Sequence, residues 1–351
     1  MHSSLFTLRS SLFHGISRGS IITILLVATL LALFATNLLV GSIHIPIADV
    51  WNILWGHSSD HATWNFVVRE LRLPAALTAL LSGASLAVSG LMLQTVFRNP
   101  LAGPGLFGIN SGASLGVAVV MLVMGGSVGI GSVNLTGFLA IFFAAFLGAM
   151  LVLLIILAAA SVVRNHVMLL IVGIMVGYLA SSAISLFNFF ATEEGVQSYM
   201  VWGLGNFGGV SSEQLPLLLS VNGIGLAISL LFVKPLNALL LGDQYAENLG
   251  FKVIRLRNAL LLVTGILTAI TTAFCGPVAF IGLIVPHITR LLLGTDNHRP
   301  VLPLTMLTGS CIALLCNFIC SLPADKAIPL NAITPLIGAP IIVYVIARHR
   351  E

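Results

Sequence analysis

Between Leu101 and Val163 the chain carries no Asp, Glu, Lys or Arg, and the same holds for residues 258–289, 300–324 and 327–347. Such runs cannot build a water-facing surface, because soluble domains draw about a quarter of their residues from the charged types. Only 7% of the 351 residues are charged and 58% are hydrophobic, with a mean hydropathy of +1.08. A run of roughly 20 apolar residues crosses a bilayer as a helix, and no alternating period-2 segments suggest a membrane barrel. The sequence therefore predicts an all-α, polytopic membrane protein.

Breaking the chain at charged or Gly/Pro-rich stretches predicts about ten helices, at 21–40, 73–97, 106–124, 136–160, 167–190, 214–233, 258–275, 277–293, 301–320 and 332–347. The first follows a tail bearing Arg9 and Arg18 and is long enough to span, so it is expected to be a helix and not a cleavable leader. With the amino terminus in the cytoplasm, every Lys and Arg except Arg69, Arg72 and Lys326 falls on that side, the asymmetry that sets orientation. Both termini are expected to be cytoplasmic. Residues 1–351 then form a single transmembrane domain with its core from 20 to 351.

Composition narrows the chemistry. The predicted spans hold no acidic residue at mid-depth, and His287 beside Pro286 is the one ionisable group well inside them. Ion-coupled carriers place such groups within their spans. His287 is expected to be a neutral imidazole bonded to a carbonyl freed by the proline. The phosphate-cradling G-x-x-x-x-G-K-[ST] motif is absent, as is H-E-x-x-H, so any ATP hydrolysis belongs to a separate chain. Cys275, Cys311, Cys316 and Cys320 lie in apolar segments without a ligand set around them and read as small buried hydrophobes.

Three polar stretches stand out. From Lys234 to Arg257, Leu236, Leu239, Leu240, Tyr245, Leu249 and Val253 recur at three- or four-residue steps, with Gly242 and Gly250 between them. This predicts two short amphipathic helices, resting on lipid or seated in a partner's groove. Lys252, Arg255 and Arg257 follow them as a basic cluster. Arg69 and Arg72 break the charge asymmetry; they pair with Glu70 or lipid headgroups, or meet carboxylates of a docking protein. Finally, "RNPLAGPGLFGIN" from Arg98 puts two prolines, which fix φ, and glycines, which permit tight turns, between two apolar segments.

The stretch "LRLPAALTALLSGASLAVSGLMLQTVFRNPLAGPGLFGINSGASLG", residues 71–116, resembles the signature region of the FecCD-type permeases. The similarity continues through "VWGLGNFGG" at 201, "GDQYAENLGFKVIRLRN" at 242, "GPVAFIGLIVPHITRLLLGTDNHR" at 276 and "TPLIGAP" at 334. The resemblance implies a vitamin B12 permease-like fold in the bacterial cytoplasmic (inner) membrane. It further implies the membrane subunit of an ABC importer for iron siderophores, haem or cobalamin, against the alternative of an ion-coupled secondary transporter working alone. Implied partners are a second permease subunit, identical or paired, two ABC ATPase chains holding ATP and Mg, and a periplasmic or lipid-anchored substrate-binding protein. No cofactor, metal or nucleic acid is implied for this chain, and no chemistry on the cargo.

Residue by residue, the resemblance places Asn99 and Leu101 at an inner gate, with Arg164 and Asn165 beside it. It makes 234–257 the coupling loop, with Gly242, Ala246, Glu247 and Gly250 as its contact positions. Arg72, with Arg69 near it, falls where relatives meet a glutamate of the binding protein. Ala75 stands where some relatives carry a second arginine. Ala327 and Asn331 replace the commoner Glu and Gly near the last external loop, where Lys326 could substitute.

Overall fold

The computed structural model describes residues 18–57, 59, 61–130, 133–163, 165–323 and 328–348. Arg9, Arg164, Lys326 and Ala327 lie outside the described residues. The chain runs through helices α1 (Arg18–Leu39), α2 (Ile47–Leu54) and α3 (Ala62–Phe97) to α4 (Ile109–Val123). A hairpin of β1 (Ser127–Ile130) and β2 (Val133–Thr136) leads into α5 (Phe138–Val162), α6 (His166–Phe190) and α7 (Glu193–Gly203). Then come α8 (Leu215–Leu231), α9 (Val233–Leu240), α10 (Asp243–Asn248), α11 (Val253–Cys275), α12 (Ile281–Leu293), α13 (His298–Ser321) and α14 (Leu330–Arg348).

Six of these are long and apolar enough to cross a membrane: α1, α3, α5, α6, α11 and α13. Helices α8 and α9 qualify only as a pair bent by 53°, and α4, α12 and α14 contribute shorter apolar stretches. The helical expectation holds except for the hairpin, antiparallel with Ser127 opposite Thr136, which lies between the predicted helices 106–124 and 136–160. Helix α11 starts at Val253, not near 258, so Arg255 and Arg257 belong to its first turn and not to a loop.

Helix α3 is the axis of the bundle and packs on α8, α11, α12 and α13. Small residues fill it from Ser82 to Gly90, and its span is 83% buried. Lipid tails are as apolar as leucine, so helices in a bilayer gain chiefly from close packing, which small residues allow. Gly83 faces Gly309 of α13 backbone to backbone, and Gly90 faces Gly282 of α12 in the same way. Gly112 and Gly116 likewise receive Gly148 and Ala144 of α5. The "GASLG" pattern at 112–116 matches G-x-S-x-G on paper, but its glycines serve this helix crossing and not the strand-to-helix elbow a nucleophilic serine requires.

Several threonines inside the bundle are tied locally. Thr264, Thr268, Thr305 and Thr308 return their hydroxyls to carbonyls of the preceding turn. Asn37 of α1 donates to the Leu314 carbonyl at 3.0 Å and accepts from Asn317 at 2.8 Å, pinning α1 to α13. Cys275, Cys311 and Cys316 are buried free thiols and Cys320 is half-buried.

Candidate functional site

The turn after α3 begins with Arg98, which ends the helix in the left-handed conformation at φ +45°. Asn99 then closes the turn on itself: its Oδ1 accepts the Leu101 amide at 2.9 Å and its carbonyl accepts the Ala102 amide at 3.0 Å. Leu101 is 43% exposed while Ala102 is buried. The turn is thus a rigid loop with one apolar side chain pointing out. Beyond it Gly108, at φ +71°, caps α4, and a Cβ there would lie 3.0 Å from the Gly173 carbonyl oxygen of α6. Positive φ and close approach together leave glycine as the residue that fits.

His287 holds this turn from the side. Its Nε2 donates to the Pro100 carbonyl at 2.7 Å. The imidazole is hydrogen-bonded to a carbonyl as expected, here that of Pro100 in the turn. Pro100 sits in a turn, and the neighbouring helix supplies a donor for its carbonyl.

The same end of the bundle carries a set of polar contacts that sequence reading missed. Gln94 of α3 donates to the Leu283 carbonyl at 3.0 Å and accepts from Arg290 of α12 at 2.8 Å. Arg290 also lies 3.4 Å from Asp296. Asn237 of α9 donates to Asn297 at 2.9 Å, while its Oδ1 accepts the His298 amide at 2.8 Å and lies 3.1 Å from His298 Nδ1. That arrangement puts the proton on Nδ1; Nε2 lies 2.9 Å from the Thr95 hydroxyl, which also lies 2.9 Å from the Leu91 carbonyl of its own helix. Apart from Arg290–Asp296 and Thr95–Leu91, the contacts join positions about 60 to 200 residues apart in sequence, which explains why no motif announces them.

Residues 234–257 fold as two short helices hinged at glycines, as the periodicity suggests. Gly242 (φ +121°) separates α9 from α10, and Gly250 (φ +88°) ends the second turn. Leu236 and Leu239 are buried against the bundle, whereas Leu240, Leu241, Tyr245, Glu247 and Leu249 face outward. Ala246 is buried and its carbonyl accepts the Phe251 amide at 3.0 Å, so of the four named positions it packs inward. Arg257 is the correction here. It is 4% exposed and donates to the carbonyls of Ala160 and Val163 at the end of α5, so it is part of the packing and unavailable to lipid or a partner.

Asn165 accepts the amides of Val167 at 2.8 Å and Met168 at 3.2 Å and so caps α6. Satisfying two of the first free N–H groups fixes where that helix begins.

At the opposite end, Arg69 and Arg72 sit in a π-helical turn, Val67–Arg72, at the start of α3. Arg72 donates to the carbonyls of Leu38 (2.9 Å), Leu39 (3.0 Å) and Ile43 (2.5 Å). Arg69 donates to Ile53 at 2.9 Å and to His57 at 3.4 Å. Both guanidinium groups therefore fasten the connection between α1 and α3 through backbone carbonyls. Gly41 leaves the room: a Cβ there would lie 2.8 Å from the Arg72 guanidinium. Arg72 also borders a cavity of about 520 Å³ lined by Asn37, Ala75, Asn206, Asn317, Ser321 and Leu330 among others. Asn331 beside it donates to the carbonyls of Gly203 and Pro277 and accepts the Ala279 amide.

The sequence matches the FecCD transport family across residues 25–348. The chain belongs to the FecCD transport family. It is 35% identical over 288 residues to the vitamin B12 import system permease BtuC of Citrobacter koseri, covering 81% of this chain and 84% of the relative. It is 32% identical over 333 residues to the hemin transport system permease HmuU of Yersinia pestis, covering 93% and 95%. A solved chain described as an inward-facing metal-chelate type ABC transporter superposes with a TM-score of 0.80 at 29% identity, covering 92% of this chain and 97% of its own. The FecCD fold is thus fixed by sequence and shape together.

Proposed function

We propose that this FecCD chain is the permease subunit of an ABC importer, working by alternating access in the cytoplasmic membrane with both termini inside. Its ten apolar segments all cross, and two such subunits enclose the path between them. One observation carries this: α6 has the second lowest burial of the six long spans, at 17%, yet its exposed residues include Tyr178, Ser181, Ser182 and Ser185 among the apolar ones. Polar groups within a span face a bundle interior or a wet path and not lipid. Asn165 caps the base of this helix, and the Pro104–Phe107 turn packs on it.

Asn99, Leu101, Arg164 and Asn165 form the inner gate on this reading. The outward face of 234–257, with Gly242, Glu247 and Gly250 and with Ala246 beneath it, receives the ATPase pair, which holds ATP and Mg. A substrate-binding protein delivers cargo at the end that carries Arg69 and Arg72, where exposed Glu70 and the rim of the 520 Å³ cavity face out, with Lys326 as the third docking residue on this reading. The cargo is a metal chelate or corrinoid: a siderophore complex, haem or cobalamin.

The test is purification in mild detergent with any co-migrating ATPase, reconstitution into vesicles, and uptake of cyanocobalamin, haemin and a ferric siderophore. ATP-dependent accumulation of one of the three is expected. Accumulation without ATPase or ATP would assign the chain to gradient-driven carriers instead.

A further inference from the structure

Arg98 is one of two non-glycine residues with positive φ among the described residues, the other being Phe280. A side chain in the left-handed region costs roughly 1–2 kcal/mol that glycine avoids, and a glycine at the end of a helix is the common solution. Arginine therefore occupies this position against local preference. Its guanidinium reaches 2.5 Å to the carboxylate of Asp243, the first residue of α10. The two side chains are 45% and 36% exposed, and an exposed ion pair contributes about 0–1 kcal/mol. The pair thus fails to repay the backbone cost, and stability alone gives no reason for it.

Position gives one. Arg98 opens the turn that carries Asn99 and Leu101, and Asp243 opens the short helix hinged at Gly242. Gly242 stands opposite the guanidinium, its Cβ position 4.0 Å from the Arg98 terminal nitrogen, so the hinge leaves space for the contact. The turn is also tied to α12 through His287 and to α3 itself through the Asn99 amide on the Gln94 carbonyl. The Arg98–Asp243 pair is therefore a direct side-chain link from the turn to α10.

We propose that Arg98 is a positioning residue whose ion pair with Asp243 transmits displacement of α10 to the Asn99–Leu101 turn. The inference rests on the proposed assignment of 234–257 as the ATPase-facing lever and of the turn as the gate. A charge-assisted hydrogen bond is directional, so a shift of α10 pulls on Arg98 and rotates the turn whose backbone it anchors.

The test needs no knowledge of the cargo. Leu101→Cys, in a Cys320→Ala background, is labelled by a charged maleimide in the reconstituted complex with its ATPase, with and without ATP and vanadate. The parent is expected to change its labelling rate on nucleotide trapping. Arg98→Gly suits the left-handed backbone and keeps the turn folded; it is expected to shrink that change at least about fivefold, the low end of usual coupling strengths, while the ATPase still co-purifies. Arg98→Asp with Asp243→Arg re-forms the pair with reversed charge, aspartate tolerating left-handed φ, and is expected to restore the response.

A full response in Arg98→Gly, or none in the charge-swapped double variant, overturns the proposal. Loss of ATPase from the Arg98→Gly complex also overturns it, because Arg98 would then act in docking. A parent that never responds to nucleotide removes the gate assignment, and the link with it, before either variant is read.

Discussion

The closest helix crossing gives a sharp test of what holds the bundle together. In Gly90→Ala the added methyl would lie 2.5 Å from the carbonyl carbon of Gly282 and 2.8 Å from its Cα, with the carbonyl oxygen nearer still. Every one of these atoms is backbone, so no side chain can rotate away and α3 must move from α12. Overpacking costs typically 1–3 kcal/mol, and a backbone-to-backbone clash on the central helix belongs at the top of that range, about 3 kcal/mol. With an unfolding entropy of about 2.1 cal/mol/K per residue, that lowers the midpoint by on the order of 4 °C. Gly223→Ala is the control: nothing lies within 4 Å of its Cβ position, and Ala is about 1 kcal/mol better than Gly inside a helix. Cys275, Cys311 and Cys316 are buried, so a thiol-reactive fluorophore in detergent reports unfolding directly. A Gly90→Ala variant that melts at or above the parent, with Gly223→Ala unchanged or raised, would refute the view that small-residue contact sets the stability of the α3 axis.

Arg257→Met keeps much of the apolar length but strands the carbonyls of Ala160 and Val163; unsatisfied buried groups cost about 1–3 kcal/mol each, and the same thermal assay should show a loss comparable to Gly90→Ala. Arg72→Lys retains the charge but not the fork that spans Leu38, Leu39 and Ile43, and an ammonium cannot reproduce that geometry. Limited proteolysis should therefore cut near residues 40–44 several-fold faster in Arg72→Lys, and equal rates would show the fork to be dispensable. Asn331→Gly should loosen the junction of residues 203–205 with 277–279, raising amide exchange there while leaving 98–102 unchanged.

Much of the architecture is legible in the chain because charge is so scarce that each uncharged run marks a buried or lipid-facing helix. The hinges at Gly242 and Gly250 were readable for a similar reason, since apolar periodicity stops at them. The sequence places the start of α11 too late because Arg255 and Arg257 look like a solvated stop, whereas α11 buries Arg257 against the last carbonyls of α5. Arg69 and Arg72 were read from charge alone, and charge says nothing about three carbonyls thirty residues upstream. Asn331 was visible as a departure from the family pattern. Its purpose, bridging two loops through one amide, depends on contacts up to 128 residues away.

The two ends of the bundle are fastened in different ways, and the difference bears on which end can repack. Near Arg72, side chains hold backbone carbonyls: Arg69, Arg72 and Asn331 all do so. The acceptors of such bonds are fixed by the path of the loop and cannot swing to a new partner. Near Asn99, side chains hold other side chains as well as backbone, in Arg98–Asp243, Arg290–Gln94, Asn237–Asn297 and His298–Thr95 beside Gln94–Leu283 and His287–Pro100. The side-chain pairs can exchange partners by rotamer changes, while the rigid turn and the helices keep their shape. Alternating access needs packed elements with two discrete arrangements more than it needs soft ones, and such a set of exchangeable polar pairs around a stiff turn meets that need. The proposed lever, α10, enters this set through its first residue, so a displacement there acts on the end of the bundle best able to take up a second arrangement.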